Sequence, residues 1–237
     1  MLSQTGGRDG TKIMAESPAM RDTTATFTGL VALAPEDRLR ADAYRALGRL
    51  LAAPPDEQTL ALFAEAPVSD ESNLLAVAWR MLATSAGRAI AQQVEDEYQA
   101  LFIGLGRGEL VPYASWYLTG FLMERPLAQL RSDMRRLGFE RQEGVSEPED
   151  HAAALCEIMA LLTGGDEALE TQAQFFNNHI GPWMARFFRD MQQAPSARFY
   201  RAVGQLGEQF TITDQRYLEM VARSDAMPVE SNPPVTS

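Results

Sequence analysis

The sequence predicts an all-α protein, a compact bundle of about ten helices in two halves joined by a hinge near 139–147. Apolar residues recur at three- and four-residue spacing through most of the chain, the period of a helix with one buried face. Segments rich in Gly, Pro and polar residues punctuate that pattern at short intervals. No convincing run alternates as a strand does; "VPYASWYL" comes nearest, and its proline demotes it. No fixed-period repeat is present.

Residues 1–33 are Gly/Ser/Thr-rich and lack the apolar core of a secretory signal, so they read as a disordered tail. "PEDRLRADAYRALGRLLAA" opens on Pro35 and two acids, which suit a helix N-terminus. Leu39, Ala43, Ala46, Leu47, Leu50 and Leu51 form its stripe. "PPDEQTL" ends that helix and opens a short one, and "SNLLAVAWRMLA" predicts a mostly buried helix. "AIAQQVEDEYQALFIG" carries Ile90, Val94, Tyr98, Leu101 and Phe102 on one side.

"GLGRGELVPYASWYLTG" then reads as a loop held against the core by its aromatics. Its glycines do not fit a phosphate loop: no Gly-Lys-Ser/Thr follows and no buried strand precedes. "RPLAQLRSDMRRLG" is a helix with Pro126 near its start and Gly138 as C-cap. The polar "FERQEGVSEPED" is the expected hinge. Five more helical segments follow, in "EPEDHAAALCEIMALL", "DEALETQAQFFNNHI", "GPWMARFFRDMQQA", "PSARFYRAVGQLGEQF" and "TDQRYLEMVARS". The helical domain thus spans 34–222, with halves at about 34–138 and 147–222, and 223–237 form a second disordered tail.

The totals bound the function. A net charge of −11 argues against nucleic acid and anionic membrane surfaces, and suits a basic partner. No apolar run reaches the roughly 20 residues needed to cross a bilayer, so a cytoplasmic protein without stable membrane insertion is expected. Cys156 is the single cysteine and cannot form an internal disulfide.

The densest chemistry lies in "SEPEDHAAALCEIMALL", from Ser146 to Leu162. Ser146 followed by Glu149 makes a capping-box pattern, and Pro148 suits a first turn. Glu147, Glu149 and Asp150 would then face the positive end of the helix dipole. In a helix begun there, Leu155, Ile158, Met159 and Leu162 share one apolar stripe, with His151 at its head and Glu147 one turn before. Asp150 and Glu157 fall on an adjacent flank, and Glu149 points away. A Glu147–His151 contact would favour the imidazolium. The expected result is a polar rim around an apolar patch, fit for a peptide with a basic end and an apolar stretch.

No metal, no cofactor and no catalytic residue is expected. His151, His179 and Cys156 do not share a zinc-ligand spacing, and the acids are accounted for by the helix start. Cys156 lies within an apolar helix, where a thiol is usually inert, and no Gly-x-Ser-x-Gly elbow is present. Tyr113, Trp116, Tyr117 and Phe121 cluster near the loop, as core or as groove.

Three segments, "EYQALFIGLGRGELVPYASWYL", "LRSDMRRLGFERQEGVSEPEDHAAALCEIMALL" and "FFNNHIGPWMARFFRDM", together resemble the TorD/DmsD family of cytoplasmic chaperones, related to NarJ. The most diagnostic piece is Glu147-Pro148-x-Asp150-His151 followed by the helix of Glu157 and Met159. Tyr98, Leu101, Phe102, Pro112, Tyr113, Ser115 and Tyr117 match before it, and His179 and Trp183 match after it. Glu149 stands where the family often has a proline or small residue, and Cys156-Glu157-Ile158 where Leu-Glu-Phe is common.

The resemblance implies an all-helical chaperone, not an enzyme. Its partner would be an immature molybdenum- or tungsten-cofactor oxidoreductase catalytic subunit, bound through its twin-arginine signal peptide until the cofactor is loaded. It ties Glu147, Asp150 and His151 to peptide binding, and Glu157, Tyr113, Trp116 and Tyr117 complete the expected site. Two other readings stay open: a NarJ-like chaperone of the client's body that ignores the leader, and a helical metal-dependent hydrolase using Asp150 and His151 with Glu157. The chain is expected as a monomer or a domain-swapped dimer.

Overall fold

The computed structural model describes residues 34–67, 72–104, 107–139 and 147–225. Among the described residues it holds ten α-helices, one π-helical turn and no strand, so the all-α expectation holds. The expected tail at 1–33, the hinge residues 140–146 and most of the expected C-terminal tail lie outside the described residues.

Helix α1 (Pro35–Ala52) starts where Pro35, Glu36 and Asp37 predict. Ala43, Leu47, Leu50 and Leu51 face inward as expected, but Leu39 is 71% exposed. Arg40 takes the inward position beside it, buried to 6% exposure. Its Nε lies 2.5 Å from Asp214 Oδ1, and one Nη donates to Gln172 and Asp37, each at 2.8 Å. The Tyr44 hydroxyl donates to the other Asp214 oxygen at 2.7 Å. Burial alone would lower the Arg40 pKa; the Asp214 carboxylate outweighs it and keeps the guanidinium charged. This buried network joins α1 to α8 (Leu169–His179) and α10 (Phe199–Asp225).

Asp56 caps α2 (Glu57–Ala64) through the Thr59 N–H, and Asn73 caps α3 (Leu74–Ala86) through that of Ala76. Helix α4 (Ala91–Tyr98) passes into a π-helical turn, Gln99–Ile103. The glycines that follow serve backbone approach. A Cβ on Gly104 (φ 61°) would sit 2.2 Å from the Arg107 carbonyl oxygen, and one on Gly108 would sit 2.4 Å from that of Leu101. The loop is shorter than expected, because 114–119 form helix α5 (Ala114–Thr119). Helix α6 (Arg125–Arg136) has Pro126 in its first turn, as predicted.

Helix α7 (Ala152–Gly164) lies along α1, and α10 lies against α9 (Met184–Gln193), α8 and α3. Elements from before and after 140–146 thus contribute to one core. The two helices expected at the C-terminal end are one, α10, because nothing between Phe199 and Asp225 breaks it. Its start is held by a distant side chain. The buried carboxylate of Glu97 on α4 accepts the N–H groups of Arg198, Phe199 and Tyr200 at 2.8, 3.0 and 2.7 Å.

At Gly207, α10 meets α9 so closely that a Cβ would lie 2.3 Å from the Phe188 ring. Gly207→Ala is therefore expected to destabilise the protein by about 1–3 kcal/mol through overpacking, read as a lower urea midpoint at unchanged m-value. A midpoint equal to wild type would show that the two helices can separate freely.

Candidate peptide-binding site

The chain enters α5 through Pro112 and Tyr113, and enters α7 through Asp150 and His151. These two entries cross antiparallel. The Ala114 N–H donates to the Asp150 carbonyl at 3.0 Å, and the Ala152 N–H to the Pro112 carbonyl at 2.8 Å. Each helix start, which leaves N–H groups without an intrahelical partner, is satisfied by the segment leading into the other.

Asp150 completes the lacing. Its Oδ2 accepts the backbone N–H of Ser115 at 2.9 Å and the Ser115 hydroxyl at 2.5 Å, so it caps α5 from across the chain. The residue is 1% exposed. Its second oxygen, Oδ1, is buried without a hydrogen-bond partner.

His151 is the N-cap of α7: its Nδ1 accepts the Ala153 N–H at 3.1 Å. Its ring meets that of Tyr113 edge-on, with centroids 5.0 Å apart. The helix therefore begins at Ala152, five residues after the expected first turn; Ser146, the expected cap, lies outside the described residues. The expected imidazolium is corrected too. Burial depresses the His151 pKa to about 4, against the pull of Asp150, so the ring is neutral near pH 7.

The unfolded chain protonates this histidine near about pH 6.5, and the native protein only near 4. The stability it contributes is whole above the unfolded value and lost as pH falls toward 4, a difference of about 2–3 kcal/mol. His179 is shifted downward by burial in the same sense. Urea midpoints of wild type and His151→Gln at pH 7 and 4.5 check this: the acid-side drop should be smaller in the variant. Equal drops would contradict it.

The other expected site residues scatter. Glu147 is exposed, near enough to Tyr98 for its charge to add to the burial that raises that phenol's pKa. Glu149, expected to point away, instead receives Arg131 of α6, whose Nε and Nη2 lie 3.0 and 2.8 Å from one oxygen. Leu155, Ile158, Met159 and Leu162 are all buried, so the α7 stripe is core and not a trough. Glu157 stands exposed two turns along α7, beside Gly48 of α1 and away from the crossing.

Tyr117 packs on Trp183 and Phe187 and donates to Asp190 of α9 at 3.0 Å. Trp116 carries the Arg107 guanidinium over its ring at 5.0 Å. The two aromatics share a cavity of about 360 Å³ lined also by Glu109, Arg186 and Asp190. His179 and Trp183, matched by the resemblance, are structural. His179 Nε2 lies 2.8 Å from Asp133 Oδ2 of α6, and the Trp183 indole N–H donates to the His179 carbonyl at 2.7 Å.

The crossing thus gathers Tyr113, Asp150 and His151 and adds Ser115 and Pro112, which share the motif pattern but are not among the expected site residues. It also leads, through the single short helix α5, to an apolar turn left open to solvent: Phe121, Leu122 and Met123 are 69%, 48% and 73% exposed. Among the described residues, no three His, Cys, Asp or Glu side chains gather to hold a metal ion. Among them too, no helix is long and apolar enough to cross a membrane. The Cys156 thiol is fully buried, and that burial pushes its pKa up.

Residues 69–189 match the nitrate reductase delta subunit family. The chain belongs to that family. Its relatives include the chaperone protein TorD of Vibrio cholerae, 26% identical over 138 residues, covering 54% of this chain and 63% of that protein. The TorD chaperone of Shewanella pealeana is 25% identical over 218 residues, 82% of this chain and 96% of its own. The Tat proofreading chaperone DmsD of Salmonella typhimurium is 28% identical over 172 residues, 68% and 82%. The match to the Vibrio cholerae relative thus takes in 63% of that protein's length. These relatives are named as chaperones, not enzymes.

Proposed function

We propose that this family member is a cytoplasmic chaperone for an immature molybdenum- or tungsten-cofactor oxidoreductase. It holds the client by its twin-arginine signal peptide and assists cofactor insertion before export. The observation that carries this reading is the family match at 69–189, which contains the whole crossing of 112–115 with 147–152. The names of its TorD and DmsD relatives support it, as does the charge of −11, which complements a basic leader.

The roles divide by exposure. Glu147, at the surface, meets the arginines; the Phe121–Met123 turn takes the apolar stretch. Asp150, His151 and Ser115 hold the scaffold that aims both. His151 Nδ1 and Asp150 Oδ2 each accept a backbone N–H at a helix start, which supports a structural role for both over a catalytic one.

Calorimetry with a synthetic twin-arginine leader tests this. Wild type should give saturable heat that weakens with salt and falls for a twin-lysine leader. Glu147→Gln should weaken binding by a few-fold, as a rim charge does, and Phe121→Ala by about tenfold. Absence of saturable heat, together with co-purification of a client lacking its leader, would favour the body-binding reading instead.

A further inference from the structure

A cavity of about 930 Å³ lies away from the crossing, between α3, α4 and the start of α10. Its lining carries Arg80, Arg88, Arg198 and Arg201. Arg80 sits on α3 and Arg88 just beyond that helix; Arg198 and Arg201 stand one turn apart at the start of α10. Two carboxylates also line it, Asp96 and Glu97. Glu97 is committed to the three N–H groups at the head of α10, which leaves Asp96 as the lining carboxylate beside the guanidinium groups of Arg88, Arg198 and Arg201.

The floor between these charges is apolar. Val94, Phe199 and Ala202 form its buried part, and Met81 and Ile90 stand exposed at its lip, 46% and 58% accessible. The chain as a whole is at −11, so a groove with this excess of arginine runs against the rest of the surface. It would repel the basic leader proposed above. A long polyanion is disfavoured by the acidic remainder of the protein. The complementary ligand is short, acidic and apolar on one side.

We infer that the α3–α4–α10 groove is a second docking site, of opposite charge preference, for an acidic amphipathic segment of a partner protein. The partner's carboxylates meet Arg88, Arg198 and Arg201 while its apolar side chains cover Met81, Ile90 and Phe199. The inference does not depend on the leader reading.

Fluorescence anisotropy tests it, with a labelled amphipathic peptide bearing Glu on one face and Leu on the other. A matched peptide has Lys for every Glu. Wild type should bind the Glu peptide at least about tenfold more tightly than the Lys peptide, and less tightly as salt rises. Arg88→Glu with Arg201→Glu, both at exposed positions, should lose at least about tenfold in affinity for the Glu peptide while keeping leader binding. Arg88→Gln with Arg201→Gln supplies the same readout should charge reversal disturb the fold by circular dichroism.

Equal affinity for both peptides, or unchanged affinity in the arginine variants, overturns the inference. So does a single-stranded oligonucleotide bound as tightly through the same arginines, or a dimer in sedimentation that those substitutions dissolve. Loss of leader binding without change at the groove would instead count against the proposed function alone.

Discussion

Replacing Asp214 with alanine is expected to lower the unfolding free energy by about 3–5 kcal/mol, the largest single effect predicted for this chain. The residue is 1% exposed and receives both Arg40 and the Tyr44 hydroxyl. Removing it leaves a buried guanidinium whose remaining hydrogen bonds go to Asp37 and Gln172, and a buried hydroxyl without its present acceptor. The cost comes from a buried charge left with a single, partly exposed carboxylate more than from the lost attraction. Hence the double variant Arg40→Met with Asp214→Leu should recover much of the loss, because it removes both charges together. Urea denaturation checks both. A loss under about 1 kcal/mol for Asp214→Ala would mean that water reaches Arg40 and the network is not a closed interior feature.

Glu97→Ala is expected to cost about 2–4 kcal/mol, from three backbone N–H groups left without an acceptor at the start of α10. The geometry makes the conservative variant informative. Oε1 serves Arg198 and Tyr200, whereas Oε2 serves Phe199 alone. Glu97→Gln can keep the first pair through its carbonyl oxygen while turning a donor toward the Phe199 N–H, and should lose roughly half as much. Native-state hydrogen exchange localises the effect: protection should fall first in the opening turns of α10. Loss spread evenly over the molecule would contradict a capping role.

Much of the fold was legible because helix starts and stops carry local signals. Pro35 with its acids, Pro126 and the Gly-rich stretch after Ile103 each fixed a boundary from neighbours in sequence. What escaped was decided by partners far along the chain. Arg40 displaces Leu39 from the interior because Asp214 lies opposite it, 174 residues away. α5 forms inside an expected loop because its start is capped by Asp150, 35 residues on. α7 starts late because His151, not Ser146, caps it, and this returns 147–151 to a turn.

The candidate site was legible in its members and not in their roles. Motif order brought Tyr113, Asp150 and His151 together, and they do touch. Periodicity places Asp150 and His151 on a rim beside the Leu155–Leu162 stripe, yet that stripe is consumed by packing on α1 and the rest of the core. The apolar surface that remains open, Phe121 to Met123, sits in a turn where no period marks it.

The most direct test of the leader-binding account is hydrogen–deuterium exchange of the full chain with and without a saturating twin-arginine leader peptide. The account predicts new protection in segments covering 112–123 and 147–152, with the α3–α4–α10 groove unchanged. Protection confined to that groove, or none at the crossing despite saturation, would contradict it.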